Sequence, residues 1–457
     1  MVRLLPEFLP GMHAMAALRS LPWAIWLDSG HPSAAAGRYD LCMAAPVRTL
    51  VSDGGQAVLR DAAGHVLETT TEPLALLRRQ LAERRSVPSP LPFCGGAAGY
   101  FSYDFGLRLQ QITPRPRPET VPELALGFYD WALISDNLER RSWWVGRPSA
   151  QEIWPMLERL LTAPAEPAGE FMIHAATSAA VPAWPEYRAA FERVRGYLHA
   201  GDCYQVNLAR RFRVGYSGDP WSAYLQLRQI SPAPYSAYLS FPFASILSTS
   251  PERFLLLEDG WAETRPIKGT RPRRADPTAD AAEKVALLGS EKDRAENVMI
   301  VDLLRNDLGR VCRPGSIEAK PLFEIESYAN VHHMVSTVRG QLGAGMEAVD
   351  LLAACLPGGS ITGAPKRRAM EVIDELEGAR RGVYCGAIGY LSDDGRMDTS
   401  IAIRTAVCNG EELSYWAGGG LVADSDARAE FDETEHKAKP FLDLIRAASQ
   451  AGGPDTI

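Results

Sequence analysis

Lys268 sits in Pro266-Ile267-Lys268-Gly269-Thr270, beside a flexible glycine and a hydroxyl, with Arg265, Arg271, Arg273 and Arg274 around it. Surrounding positive charge lowers the pKa of an amine and favours its neutral, nucleophilic form. Much later the chain offers Glu430, Glu433 and Lys437, whose spacing places them on adjoining parts of one helical face. Glu296 stands one turn before Ile300 in the helical pattern of residues 291–307. Taken singly, these carboxylates are explained equally well by surface ion pairs. Two separated carboxylate patches also suit magnesium, a hard cation that takes few protein oxygens and fills its other positions with water and substrate. A nucleophile, carboxylates and a metal together point to an enzyme acting on a small acidic molecule.

Other segments offer single polar groups in apolar settings. Leu413 to Gly420 reads as a strand running into three glycines, either a tight turn or bulge, or backbone N–H groups open to an anion. Arg404 lies between Ile403 and Thr405 in an otherwise apolar strand, so it needs a partner: a structural carboxylate or a ligand's. His332 and His333 alternate across a strand and cannot share a metal, which leaves one imidazole to serve a pocket. Thr362 precedes a predicted helix over 362–376, where it caps the helix or orients a substrate oxygen. The chain contains no GxGxxG, Walker or GxSxG pattern, which argues against nucleotide binding and serine hydrolysis.

These groups need a large scaffold, and 457 residues supply two domains or one large composite. Brief apolar runs punctuated by Gly, Pro and Asp predict sheet at 23–27, 39–44, 121–133 and 142–145, with a helix over 72–83. Residues 162–185, rich in Pro and Ala, read as a linker or surface crossing around one short strand at Phe171-Met172-Ile173. Beyond it come a helix over 186–200, a strand over 204–214, a mostly helical 281–308, and strands at 382–391 and 400–409 that pair. A last helix begins at Glu430 and is kinked or interrupted by Pro440. The organisation read from the sequence is thus residues 1–160, a linker at 161–185, and a catalytic region at 186–445. The formal charge of −8 gives no global attraction to nucleic acid or anionic membrane. No apolar run reaches the roughly 20 residues that span a bilayer, and the start lacks the core of a secretory signal. Seven scattered cysteines without a Cys-x-x-Cys predict reduced, buried thiols in a cytoplasmic protein.

The chain resembles the chorismate-utilising enzymes, and within them the aminodeoxychorismate-forming branch. The resemblance rests on ordered segments: CYQVNLARRF from Cys203, SPERF from Ser250, RPIKGTRPR from Arg265, ENVMIVDLLRNDLGR from Glu296 and VHHMVSTVRG from Val331. It continues through PGGSITGAPK from Pro357, VYCGAIGY from Val383, IAIRT from Ile401, GGGLVADSD from Gly418 and EFDETEHKAK from Glu430. WAIWLDSG, GRYD and GGAAGYFSYD resemble an anthranilate synthase component I-like N-terminal region. The resemblance implies an α+β fold, a layered α/β/β/α composite of two large, antiparallel-rich sheets. It implies a chorismate and Mg2+ site in which Glu296 and Glu433, with Glu430 nearby, hold the metal. Arg404, Lys437, Gly419 and Gly420 then grip substrate carboxylates, and Gln205, Thr270, Thr362, Tyr390 and His333 complete the substrate pocket.

Within that family, water-adding branches carry a lysine base where this chain has Gln205, which is no base at neutral pH. Anthranilate-forming relatives carry alanine at Lys268. The resemblance therefore implies amination of chorismate to 4-amino-4-deoxychorismate, with Lys268 as nucleophile and Glu252 as general acid. It also implies ammonia from a separate glutamine amidotransferase subunit. Asp28, Ser29, Arg38, Tyr39 and Asp40 resemble a tryptophan pocket of some relatives, and a turn followed by a strand explains them equally. The competing readings are anthranilate synthesis and a non-catalytic, chorismate-binding regulatory subunit.

Overall fold

A computed structural model describes the chain except residues 33–36, 87–88, 119–120, 165, 175–178, 329–330 and 452–457. Among the described residues two large sheets hold 13 and 11 strands, and every pairing in them is antiparallel. Strands from both ends of the sequence share each sheet. Ala24–Asp28 pairs with Tyr235–Ser240, and Gly96–Phe101 pairs with Ala387–Ser392. Gly96–Phe101, Leu124–Tyr129, Trp131–Asp136 and Ala387–Ser392 are buried along their whole length because both faces are covered. Along Ala24–Asp28, Ile25 enters a core between the two sheets, while Trp26 enters a second core under the helices. A third core lies between the 11-stranded sheet and the helices on its outer face, so the order of layers is α/β/β/α.

The expected elements are largely present, and the departures are physical. The 281–308 region forms two helices, Pro277–Leu288 and Glu291–Gly309. Gly289 breaks it, and Ser290 caps the second helix by accepting from the Asp293 amide. Thr362 lies outside the expected helix, which starts at Lys366 after Pro365. The strands expected to pair at 382–391 and 400–409 lie in different sheets: Ala387–Ser392 pairs with Met397–Ile401, while Thr405–Asn409 joins the other sheet. Arg404, with φ of 52°, turns the corner between them. Pro440 neither ends nor interrupts the last helix, Ala427–Ala451. In the turn before Pro440, the Lys437 carbonyl accepts from Arg404 Nη1 (2.9 Å) and Tyr415 Oη (3.2 Å). In the expected linker, Phe171–Ile173 and Ala179–Val181 both pair with Gln205–Gly218.

Candidate active site

A small third sheet stands apart from the other two, made of Ile267–Pro272, Val331–Val335 and Glu324–Ser327. Its register slips between Ile267 and Thr270, a bulge that contains Lys268 and Gly269. Gly269 has φ of +83°, and a Cβ there would lie 2.8 Å from a Leu287 methyl, so this corner admits only glycine without rearrangement. The bulge aims Lys268 into a cavity of about 760 Å³. Its wall is completed by Glu252, Thr270, Glu296, His333, Arg404, Gly420, Glu430, Glu433 and Lys437. Ten residues expected at the site thus converge from a bulge, two helices and two sheets.

The wall sorts its titratable groups. Burial raises the Glu252 carboxyl from 4.5 to about 7, although Lys268 and a hydrogen bond from Ser360 Oγ (3.1 Å) oppose the shift. Burial likewise lowers the Lys268 amine, with Glu296 opposing and Lys437 adding to the effect. The arginines around Lys268 are not the cause expected from the sequence. Arg265 pairs with Glu326, Arg271 with Asp293, Arg273 with Asp280 and Arg274 with Glu283, so their charge is neutralised locally. His333 is pushed down to about 4 by burial and by Arg404, so its ring is neutral at pH 7. Thr270 Oγ1 and His333 Nδ1 share a hydrogen bond of 2.9 Å. The adjacent imidazole, His332, faces the opposite way and bonds Asp280 and Ser327 in the interior.

Glu296 on Glu291–Gly309 and Glu430 and Glu433 on Ala427–Ala451 all line the cavity. Burial would raise Glu433, but Lys437 Nζ at 2.6 Å holds it below the usual range. Burial raises Glu430, which accepts from Ser425 Oγ at 2.7 Å. A Cβ on Gly419 would meet Glu430 Oε2 at 3.0 Å and Glu433 Oε1 at 3.5 Å, so a glycine is what lets this strand approach both acids. Among the described residues no three His, Cys, Asp or Glu side chains form a ready metal cage. Lys437 Nζ also donates to the Gly418 carbonyl at 2.9 Å.

Four expected pocket residues do not line the cavity: Gly419, which lies against Glu430 and Glu433, and Tyr390, Thr362 and Gln205. Tyr390 is buried between the two large sheets with its ring edge-on to Phe93; a strand position covered on both faces leaves it no cavity surface. The tyrosines on the wall are Tyr328 and Tyr384, the latter stacked on Trp416 at an interplanar angle of 7°. Thr362 is buried and donates to the Gly358 carbonyl at 3.0 Å. Gln205 is fully buried beneath Gly420, with neither amide atom bonded to protein. Asn207, two positions along the same strand face, reaches the cavity instead. Period-two alternation from Gln205 was the signal for it.

The residues resembling a tryptophan pocket are bonded to the protein itself and do not line this cavity. Asp28 accepts from Tyr224 Oη (2.7 Å), Arg228 Nε (2.6 Å) and the Gly30 amide (2.8 Å). Asp40, raised to about 6 by burial and by Asp28, accepts from the Ser29 amide at 2.8 Å. Arg38, beside Tyr39, pairs with Asp136. An incoming ammonium would have to displace Arg228 from Asp28.

Residues 24–443 match the family described as chorismate binding enzyme. The chain belongs to that family. This chorismate-binding enzyme is 47% identical to aminodeoxychorismate synthase component 1 of Klebsiella aerogenes, over 94% of this chain and 95% of that one. It is 45% identical to the Escherichia coli K12 protein of the same name, covering 93% and 94%. The crystal structure of anthranilate synthase component I from Streptococcus pneumoniae TIGR4 superposes with a TM-score of 0.77 at 32% identity, covering 89% of this chain and 92% of that one. The two-sheet α+β fold is therefore the fold of this family. All seven cysteines are free thiols, and among the described residues no helix is long and apolar enough to cross a membrane.

Proposed function

We propose that this chain is an aminodeoxychorismate synthase component 1, converting chorismate and ammonia to 4-amino-4-deoxychorismate and water. The observation that carries the reading is Lys268, a desolvated amine in the same cavity as a Glu252 carboxyl whose pKa is about 7. A lysine that only gripped a carboxylate would gain nothing from a lowered pKa; a nucleophile needs it. The neutral Lys268 amine attacks ring carbon C2, the ring double bond shifts, and the C4 hydroxyl leaves with the proton supplied by Glu252. Ammonia then bonds to C4, the double bond returns, and the C2–nitrogen bond breaks to restore the lysine. Ser360 Oγ holds Glu252 in place, and Arg404, Lys437 and the Gly420 amide face the substrate's carboxylates.

Glu296 and Glu433, with Glu430 beside them, fit Mg2+: a few carboxylate oxygens, with room for water and a substrate carboxylate to complete six positions. The ion, when bound, would polarise the ring carboxylate and balance its charge. Ammonia would come from a separate glutamine amidotransferase subunit, in keeping with the component 1 designation of the relatives. Mass spectrometry of the chain with chorismate, magnesium and ammonium tests the assignment. The expected product is 4-amino-4-deoxychorismate, which a separate pyruvate-removing lyase converts to 4-aminobenzoate. Dominant anthranilate would favour the competing synthase, and dominant isochorismate would overturn the reading of Gln205.

A further inference from the structure

The Asn207 side chain, 5% exposed, lies on the strand Gln205–Gly218 opposite Gly420 and forms part of the cavity wall. The orientation of its amide is fixed by chemistry. Arg381 Nη2 reaches the Asn207 side-chain oxygen at 3.1 Å and its main-chain carbonyl at 3.0 Å. A guanidinium has only donors, so the atom facing it is Oδ1, and Nδ2 points away. Arg381 is itself immobilised. It is buried, bonds both oxygens of Glu377 (2.8 and 2.7 Å) and donates to the Ile361 carbonyl at 3.1 Å. The Asn207 main chain is tied as well, its amide donating to the Thr362 carbonyl at 2.8 Å. No described protein group accepts from Nδ2.

Because the Asn207 amide bonds Thr362, it does not bond across to Gly420. The two residues form a non-hydrogen-bonded pair, with Cα atoms about 4.5 Å apart by the geometry of such pairs. In that arrangement the Gly420 N–H points from the opposite strand edge, beyond the end of Thr405–Asn409, towards the cavity. A side-chain N–H and a main-chain N–H thus flank one corner of the wall. Donors in a cavity wall without a protein acceptor are open to a ligand that supplies one. We propose that Asn207 is a substrate-binding residue whose Nδ2 donates to a carboxylate oxygen of the bound dicarboxylate, and that Arg381 acts through it as a positioning residue. This deepens the proposed function and rests on it for the identity of the substrate.

Calorimetric titration with chorismate in the presence of magnesium tests it on the full chain and on Asn207→Ala and Asn207→Asp. Losing a hydrogen bond to a charged acceptor weakens binding about 10- to 100-fold. Asn207→Asp keeps an acceptor for Arg381, so it retains the fold, and it turns the donor into an anion facing an anion. Its Kd should rise at least as far as that of Asn207→Ala. The Ala variant should show the rise in KM with kcat little changed and a melting temperature near that of the parent. A Kd within about twofold of the parent in both variants would overturn the proposal. So would a large fall in melting temperature for Ala with binding intact, which would mark the residue as a prop for Arg381. Product analysis of the parent chain, run alongside, separates this from the function: a parent that makes no aminodeoxychorismate sinks the function, while an active parent with unaffected variants sinks only the role of Asn207.

Discussion

Glu252→Gln should raise stability at alkaline pH while removing most activity. The folded pKa of about 7 lies above the ordinary 4.5, so the folded chain holds this proton more tightly than the unfolded chain does. Stability therefore falls as pH rises from 4.5 to 7, and the full penalty is present above pH 7. The shift of roughly 2.5 pKa units corresponds to at most about 3 kcal/mol at pH 8, and to under about 1 kcal/mol at pH 5. Glutamine does not titrate, and its Oε1 can still accept from Ser360 Oγ, so the variant escapes the penalty. With unfolding entropy near 2 cal/mol/K per residue, the gain is about 3 °C in melting temperature at pH 8 and about 1 °C at pH 5. Activity should drop by about 10²- to 10⁴-fold, the usual contribution of a general acid. Scanning calorimetry of both proteins at pH 5 and pH 8, with initial rates at pH 7.5, checks all three quantities. A gain that is equal at the two pH values, or a variant less stable than the parent at pH 8, would refute the buried-acid argument.

Lys268→Ala should abolish any chorismate-derived adduct detectable by peptide mass spectrometry and reduce the rate by orders of magnitude; unchanged product and rate would refute nucleophilic catalysis. Glu296→Gln and Glu433→Gln should each shift the magnesium dependence of the rate more than about 100-fold upward, beyond the roughly 10- to 100-fold typical of outer-shell partners. Saturation curves that superpose on the parent's would remove these residues from the metal. Lys366→Met leaves the Asp307 carboxylate, 2.6 Å from Lys366 Nζ in the interior, without its counter-charge and should cost about 3–5 kcal/mol by denaturant unfolding. Combining it with Asp307→Leu should recover much of that loss; a single variant as stable as the parent would count against the pair.

Much of the site was legible because side-chain chemistry and spacing survive folding. The i, i+3, i+7 set of Glu430, Glu433 and Lys437 needs only a helix to converge, and the alternation of His332 and His333 needs only a strand. The departures arose where tertiary context decides. VYCGAIGY holds two tyrosines, and its sequence does not say that Tyr390 falls on a strand covered on both faces while Tyr384 reaches the cavity. Gln205 and Asn207 share one strand face, and only the packing of Gly420 over Gln205 tells them apart. The mis-paired strands turned on Arg404, whose left-handed conformation carries no warning in a residue type that seldom adopts it. The arginines around Lys268 misled for a simpler reason. Their partners, Asp280, Glu283, Asp293 and Glu326, come from other elements, so the positive neighbourhood in the sequence is paired in space.

The charge on the cavity wall bears on why the reaction would need a divalent ion. With Lys268 as the neutral amine and Glu252 as the acid, four cationic side chains line it, Arg271, Lys292, Arg404 and Lys437, against four carboxylates, Asp293, Glu296, Glu430 and Glu433. His333 adds nothing at neutral pH. A wall so balanced offers a dianionic substrate little net attraction, and partly desolvating two uncompensated negative charges is costly. On the proposed function, a divalent cation held by Glu296 and Glu433 would supply the missing two charges, so that ion and dicarboxylate would neutralise each other inside a neutral wall. Each then strengthens the other's binding by the same factor, as thermodynamic linkage requires. The same balance keeps Lys268 reactive: a wall with surplus carboxylates would stabilise its ammonium form and silence the nucleophile, and a wall with surplus cations would hold the product carboxylates too tightly.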